Sequence, residues 1–126
     1  MMMNWPHKAE PPLSPCRIAV VIPCFKVTQH ILAVLAAIGP EASRIVVVDD
    51  ACPERSGDFV TAHATDPRIM VLRHAFNKGV GGAIVTGYEA AIAHGCDIIV
   101  KLDGDGQMDP RLIPAFVEPL QLGLAD

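Results

Sequence analysis

Four short apolar runs, each followed by a segment with helical features, constrain the fold of this chain more than any other feature. The runs are rich in β-branched residues and lie at 17–22, 44–48, 69–72 and 97–102. Nearly continuous apolar runs of this length are typical of strands buried on both faces. Because connections long enough for a helix separate them, the order predicts an α/β fold, a three-layer αβα sandwich around a mostly parallel, Rossmann-like sheet.

The segments between the runs predict helices at about 28–38, 57–64, 77–94 and 111–120. We expect Thr28 to cap the first helix, Gly95 to end the third and Asp109 to cap the fourth. The apolar face of the third helix is expected to contain Val80, Ile84, Tyr88 and Ala91.

The composition limits the classes of protein to which this chain can belong. The chain has 126 residues, 51% of them hydrophobic, which suits one domain with one core. The net charge of −4 and the lack of a basic stretch argue against nucleic acid as a partner. The proline-rich residues 1–16 predict a disordered lead-in to a domain at 17–126.

The longest apolar run, 31–38, is much shorter than the roughly 20 residues of a membrane span, so none is expected in this chain. Four cysteines without metal-site spacing predict reduced thiols and a cytoplasmic location, at the cytoplasmic face of a membrane in a full-length form. They are Cys16, Cys24, Cys52 and Cys96.

Carboxylates follow two of the predicted strands. Asp49 and Asp50 come after the second strand, and Asp103 and Asp105 come after the fourth. In parallel α/β sheets ligands bind beyond the carboxyl ends of the strands, where a divalent cation can offset the repulsion between carboxylates. Residues i and i+2 point the same way, so Asp103 and Asp105 can reach one ion, and Gln107 can add a neutral oxygen.

Other interpretations of these residues exist. Aspartate and glycine also form turns and helix caps. An EF-hand loop starting at Asp103 is excluded because Met108 and Pro114 occupy its sixth and twelfth positions. An aspartyl-phosphate enzyme is a weak competitor.

The loop at 77–82 is either a phosphate cradle or a tight turn. We expect Lys101 to be a buried counter-charge to Asp103.

The five histidines are scattered and are expected at the surface rather than as ligands. They are His7, His30, His63, His74 and His94.

Four segments together resemble a known family. IAVVIPCF, IVVVDDACPERSGD, NKGVGGAIVTGYEAA and IIVKLDGDGQMDP are similar, in order and spacing, to the N-terminal half of glycosyltransferase family 2 enzymes with the GT-A fold. The closest similarity is to the dolichyl-phosphate and polyprenyl-phosphate sugar synthases. The similarity covers about 18–114. It departs from the family at Pro23-Cys24-Phe25-Lys26-Val27, where Pro-x-Tyr-Asn-Glu is common.

The resemblance implies roles for individual residues. The nucleotide of a nucleoside-diphosphate sugar would be held by Pro23, Phe25, Asp49, Asp50 and Asp103. Mg²⁺ or Mn²⁺ would be held by Asp103, Asp105 and Gln107.

The activity implied is metal-dependent transfer of a sugar to an acceptor, either a polyprenyl phosphate or a glycan. A catalytic base is expected beyond residue 126. The alternative is a non-catalytic nucleotide-binding module or a truncated, inactive relic of such an enzyme. A sugar-nucleotide-forming nucleotidyltransferase is a third candidate, but the sequence after the first strand does not resemble it.

Overall fold

A computed structural model describes residues 17–121. It contains four strands and four helices in strict alternation, the last helix preceded by a 3₁₀ turn. In chain order the elements are β1 (Ile18–Cys24), α1 (Ile31–Ala37), β2 (Arg44–Asp49), α2 (Ser56–His63), β3 (Ile69–Arg73), α3 (Gly79–Ala93), β4 (Ile98–Lys101), the 3₁₀ turn (Pro110–Leu112) and α4 (Ile113–Gln121). All the predicted strands and helices are present. The predicted lead-in and Cys16 lie outside the described residues.

The sheet has the order β3-β2-β1-β4, and every neighbouring pair is parallel. Successive residues of a strand face opposite sides. Val20 and Ile22 therefore join the core shared with α1 and α2, whereas Ala19 and Val21 join the core beneath α3. Helices thus cover both faces, and the predicted αβα sandwich is confirmed.

Helix α3 approaches the sheet through small residues. Its buried positions are Ala83, Gly87 and Ala91, and a Cβ at Gly87 would collide with the Val21 side chain. The predicted face was only partly right, because Val80 is 62% exposed. Close helix-on-sheet packing selects for small side chains, which a search for large apolar residues misses.

Two of the three predicted helix-end residues are confirmed. Gly95 has φ of +76° and follows α3, with its N–H donating to Ile92 O at 2.9 Å. Asp109 accepts the Arg111 N–H at 2.9 Å and caps the 3₁₀ turn. The prediction for Thr28 was wrong: the chain makes a further turn before α1 begins, and the Thr28 hydroxyl donates to Glu54 Oε1 at 3.0 Å instead.

No helix within residues 17–121 is both long enough and apolar enough to cross a bilayer. Cys24, Cys52 and Cys96 are free thiols, as expected.

Candidate functional site

One cleft lies at the carboxyl edge of the sheet, where β1 and β4 end beside the first turns of α3. Its walls combine apolar side chains with three carboxylates. The lining residues are Pro23, Cys24, Phe25, Val27, Asp50, Val80, Ala83, Asp103, Gly104 and Asp105. Of the residues predicted to bind a nucleotide or metal, the cleft brings together five: Pro23, Phe25, Asp50, Asp103 and Asp105.

Asp50 is a buried carboxylate on the wall of this cleft. Its Oδ1 accepts from His74 Nδ1 and from the Lys78 backbone N–H, both at 2.8 Å. The Asp50 and His74 side chains are each 5% exposed. Burial by itself raises the pKa of Asp50, but the hydrogen bonds from His74 and from the Lys78 and Gly79 N–H groups outweigh it and lower the pKa overall. The site therefore holds a negative charge at neutral pH.

The glycine-rich segment at 77–82, which runs into the first turn of α3, supplies hydrogen-bond donors to Asp50. Asn77 Nδ2 donates to the Asp50 carbonyl at 3.2 Å, and the Lys78 N–H is committed to its carboxylate. Gly79, at φ of +82°, donates its N–H to Asn77 Oδ1 at 3.0 Å. The Lys78 and Gly79 N–H groups are thus not free to cradle a phosphate, and both interpretations of the remaining N–H groups of this segment stay open.

Asp49 does not line the cleft. Its Oδ1 accepts the Cys52 N–H and its Oδ2 accepts the Gly57 N–H, each at 2.8 Å. Gly57 lies in the first turn of α2, so Asp49 caps that helix from the end of β2. The geometry therefore does not support the predicted role of Asp49 in nucleotide binding, because strand alternation turns its side chain to the other face of the sheet.

Asp103 and Asp105 follow β4 on a tight turn. Asp103 Oδ1 lies 2.8 Å from Lys101 Nζ, and the Lys101 side chain is 34% exposed. The predicted counter-charge is present, but the expectation that it is buried was wrong. Asp105 Oδ1 accepts the Gln107 N–H at 3.0 Å. Gln107 itself is exposed and does not line the cleft.

The donors in the cleft suit a hard cation that shares its coordination with a ligand. Carboxylate oxygens are what Mg²⁺ and Mn²⁺ prefer. Within residues 17–121, no three His, Cys, Asp or Glu side chains are grouped to hold a metal ion. Asp103 and Asp105 alone would leave most positions open, as Mg²⁺ sites completed by waters and phosphate oxygens do. The residues fit such a shared site and not a closed protein cage.

Cys24 is the one thiol among the lining residues, and its reactivity as a nucleophile is low. Burial, together with the nearby Asp49 carboxylate and the Cys52 thiol, raises the pKa of Cys24 to about 12. A thiol with this pKa stays protonated at neutral pH and is a poor nucleophile. The cleft is therefore better suited to binding than to thiol-based covalent chemistry.

His74 is the residue that sequence reasoning missed, since we expected it at the surface. Its ring lies between Asp50 and Thr86, with Nε2 at 2.8 Å from Thr86 Oγ1. A usable signal existed in the strand order. Asp49 pairs with Arg73 in the parallel register, so the residues that follow them, Asp50 and His74, emerge side by side.

A parallel αβα sheet with an acidic cleft at its carboxyl edge is the arrangement in which α/β proteins bind ligands at the ends of their strands. The chain belongs to glycosyl transferase family 2, whose model matches residues 19–126. The predicted family is thereby confirmed.

Curated proteins of known name are also similar to this chain in sequence. The chain is 32% identical over 109 residues to an undecaprenyl-phosphate mannosyltransferase of Micrococcus luteus, covering 83% of this chain and 44% of the relative. It is 26% identical over 111 residues to a dolichol-phosphate mannosyltransferase of Pyrococcus furiosus, covering 85% and 31%. The expected polyprenyl-phosphate branch is confirmed by these similarities. The chain spans less than half the length of these two relatives.

Solved structures agree on the fold. The mannosyltransferase PcManGT from Pyrobaculum calidifontis, in complex with GDP-Man and Mn²⁺, superposes with a TM-score of 0.63 at 19% identity, covering 90% of this chain and 34% of that one. S. aureus TarS 1–349 in complex with UDP gives 0.60 at 21% identity, covering 71% and 27%. The GT-A fold expected from the sequence is confirmed.

Proposed function

We propose that this chain binds the nucleoside diphosphate of a sugar donor in the cleft, as the donor-binding part of a metal-dependent glycosyltransferase that acts on a polyprenyl phosphate. The observation that carries the proposal is the meeting of Asp50, Asp103 and Asp105 on one cleft at the carboxyl edge of the sheet. Polyprenyl-phosphate names among the relatives support this acceptor over a glycan. The proposal includes a location at the cytoplasmic face of a membrane.

The nucleoside end of the donor is assigned to Asp50 and the segment after β1. Asp50 keeps its charge in a buried setting and can accept hydrogen bonds from a ribose hydroxyl or a base N–H. Phe25 is exposed on the cleft wall and offers a ring face for a base, with Pro23 beside it. Asp49 is left out of this assignment because α2 occupies both of its oxygens.

The diphosphate end is assigned to Asp103 and Asp105, which would hold Mg²⁺ or Mn²⁺. A cation there would neutralise the negative charge that grows on the departing diphosphate. Gln107 is assigned to the same metal through its side-chain oxygen. Lys101, paired with Asp103, adds a positive charge at this end of the cleft.

Calorimetric titration of UDP and GDP into the 126-residue chain, with and without Mn²⁺, tests the binding step. We expect one nucleotide to bind in a Mn²⁺-dependent way and Asp105→Asn to weaken that binding about tenfold or more. Asp97→Asn, before the opposite end of β4, is the charge-matched control and is expected to bind like the wild type. Binding without metal, or unchanged binding by Asp105→Asn, contradicts the proposal.

A second candidate is nucleotide binding without transfer, since the three carboxylates on the cleft can hold a donor whether or not transfer follows. The residues assigned here bind and orient the donor, and we assign no catalytic base among them. A transfer assay with radiolabelled sugar donors and a short-chain polyprenyl phosphate separates the two candidates. Transfer supports the enzyme, whereas Mn²⁺-dependent binding with no lipid-linked product supports the binding module.

A further inference from the structure

We propose that His74 is a positioning residue for the donor nucleotide: its imidazole orients the Asp50 carboxylate so that the second oxygen of Asp50 faces the nucleoside. This inference rests on the proposed function, because it assumes that Asp50 contacts the nucleoside. His74 lies outside the four segments that resemble the family, so those segments give it no role.

The ring of His74 is held from both sides. Nδ1 lies 2.8 Å from Asp50 Oδ1, and because a carboxylate can only accept, Nδ1 carries a proton that it donates to Asp50. Nε2 lies 2.8 Å from the hydroxyl of Thr86, a residue of α3. With the side chain 5% exposed, the imidazole has one orientation that satisfies both partners. A ring fixed at both nitrogens can in turn fix the group it touches.

The two hydrogen bonds of 2.8 Å to the Asp50 carboxylate fall on the same oxygen. His74 and the Lys78 N–H both donate to Oδ1. The Gly79 N–H also lies near the carboxylate and lowers its pKa, but it donates to Asn77 Oδ1. Among residues 17–121, no donor forms a hydrogen bond to Oδ2, and Asp50 lines the cleft. Oδ2 is therefore the oxygen that a ribose hydroxyl or base N–H would meet. Fixing the carboxylate before the ligand arrives removes an ordering cost from binding.

The backbone at this point does not depend on the imidazole. The Asp50 N–H donates to Cys24 O at 3.2 Å, and the His74 N–H donates to Asp49 O at 2.9 Å. These bonds continue the β1–β2 and β2–β3 ladders past the ends of the strands. Replacing the ring should therefore leave the Asp50 main chain in place and release its carboxylate.

The test compares three substitutions in the 126-residue chain. His74→Asn keeps a side-chain N–H near the position of Nδ1, whereas His74→Gln keeps one near Nε2, and His74→Ala removes both. The Kd of the Mn²⁺-dependent UDP or GDP complex is measured by calorimetry, and the unfolding midpoint of each variant is measured in parallel. We expect His74→Asn to bind within about threefold of the wild type, and His74→Gln and His74→Ala to bind about tenfold more weakly, since a hydrogen bond to a charged group is involved.

The Asn and Gln variants lose the same ring, so a purely structural role predicts that affinity follows the unfolding midpoint in both. Equal affinity of Asn and Gln, or wild-type affinity of all three variants, overturns the positioning role and leaves the proposed function intact. A wild-type chain that binds neither nucleotide overturns both. Should His74→Ala fail to fold, Thr86→Val replaces it: the imidazole stays but loses its outer hydrogen bond, and about threefold weaker binding is expected.

Discussion

Asp49 and Asp50 are consecutive in the chain, yet their carboxylates act on opposite faces of the sheet. Asp49 accepts the backbone N–H of Gly57 and caps α2, whereas Asp50 accepts from His74 and lines the cleft below α3. Alternation along an extended strand is the cause. The two acidic residues look like one motif in the sequence, but Asp49 stabilises α2 whereas Asp50 belongs to the cleft.

This division predicts different effects of the same substitution at the two positions. Asp49→Asn puts an amide N–H against a buried backbone N–H, so we expect a loss of about 2–3 kcal/mol in the free energy of unfolding. Nucleotide affinity of the folded protein should stay within about twofold of the wild type. Asp50→Asn is expected to weaken nucleotide binding about tenfold. Urea denaturation and calorimetry measure the two quantities.

Asp58→Asn is the matched control for the stability effect. Asp58 lies in the first turn of the same helix and pairs with Arg73 at the surface, where its side chain is 57% exposed. Its loss should cost at most about 1 kcal/mol. An Asp49→Asn variant no less stable than Asp58→Asn would mean that Asp49 does not cap α2.

Glycines of α3 differ sharply in the space around them. Gly87→Ala would force a methyl group into Val21 of β1, and we expect it to lower the free energy of unfolding by about 1–3 kcal/mol. Gly81→Ala has open space around the new methyl and should stabilise the helix by about 0.5–1 kcal/mol. Urea midpoints of the two variants should move in opposite directions from the wild type. Movement in the same direction would contradict the close packing of α3 on the sheet.

Acid should remove a specific ion pair at the far end of the sheet. Hydrogen bonds from the Arg68 side chain, then from its backbone N–H, hold the pKa of Asp66 below its ordinary value of 3.8. Because the pKa is lowered in the folded state, the stabilising contribution of the pair is fully present well above pH 3.8 and is lost as the pH falls through the lower folded value. The pair is partly exposed, and we expect about 0.5–1 kcal/mol from it.

The measurement is the difference in unfolding free energy between wild type and Asp66→Asn across pH 7 to 2. The difference should be constant above about pH 5 and should shrink at lower pH. Asp97→Asn serves as the charge-matched control. A difference that grows on acidification would contradict the assignment.

Under the proposed function, Lys101 and the metal ion would compete for the same oxygen of the Asp103 carboxylate. Lys101 Nζ lies 2.8 Å from Asp103 Oδ1. Lys101→Met frees that oxygen and removes a positive charge, so we expect the chain to bind Mn²⁺ alone about threefold more tightly, as suits a half-exposed pair. Free Mn²⁺ is measured by electron paramagnetic resonance. Lys78→Met, outside the residues that line the cleft, should have a smaller effect. Weaker Mn²⁺ binding by Lys101→Met would argue against a cation at Asp103.

Local patterns in the sequence were enough to predict the layers and the edge that carries the site. These patterns involve only residues that are close together in the sequence. They are the apolar runs, the helix-ending residues such as Gly95, and the position of Asp103 and Asp105 after β4. These local patterns were also enough to predict the family, because its motifs follow one another in a fixed order along the chain.

Only the tertiary structure decided which groups meet across the fold. It turned Asp49 toward α2 and Asp50 toward the cleft, placed His74 between Asp50 and Thr86, and drew α3 so close to the sheet that its contact face is made of small residues. Strand register and the face on which each crossover helix packs join residues far apart in the chain. Sequence determined where the polar groups emerge, and packing determined what each one touches.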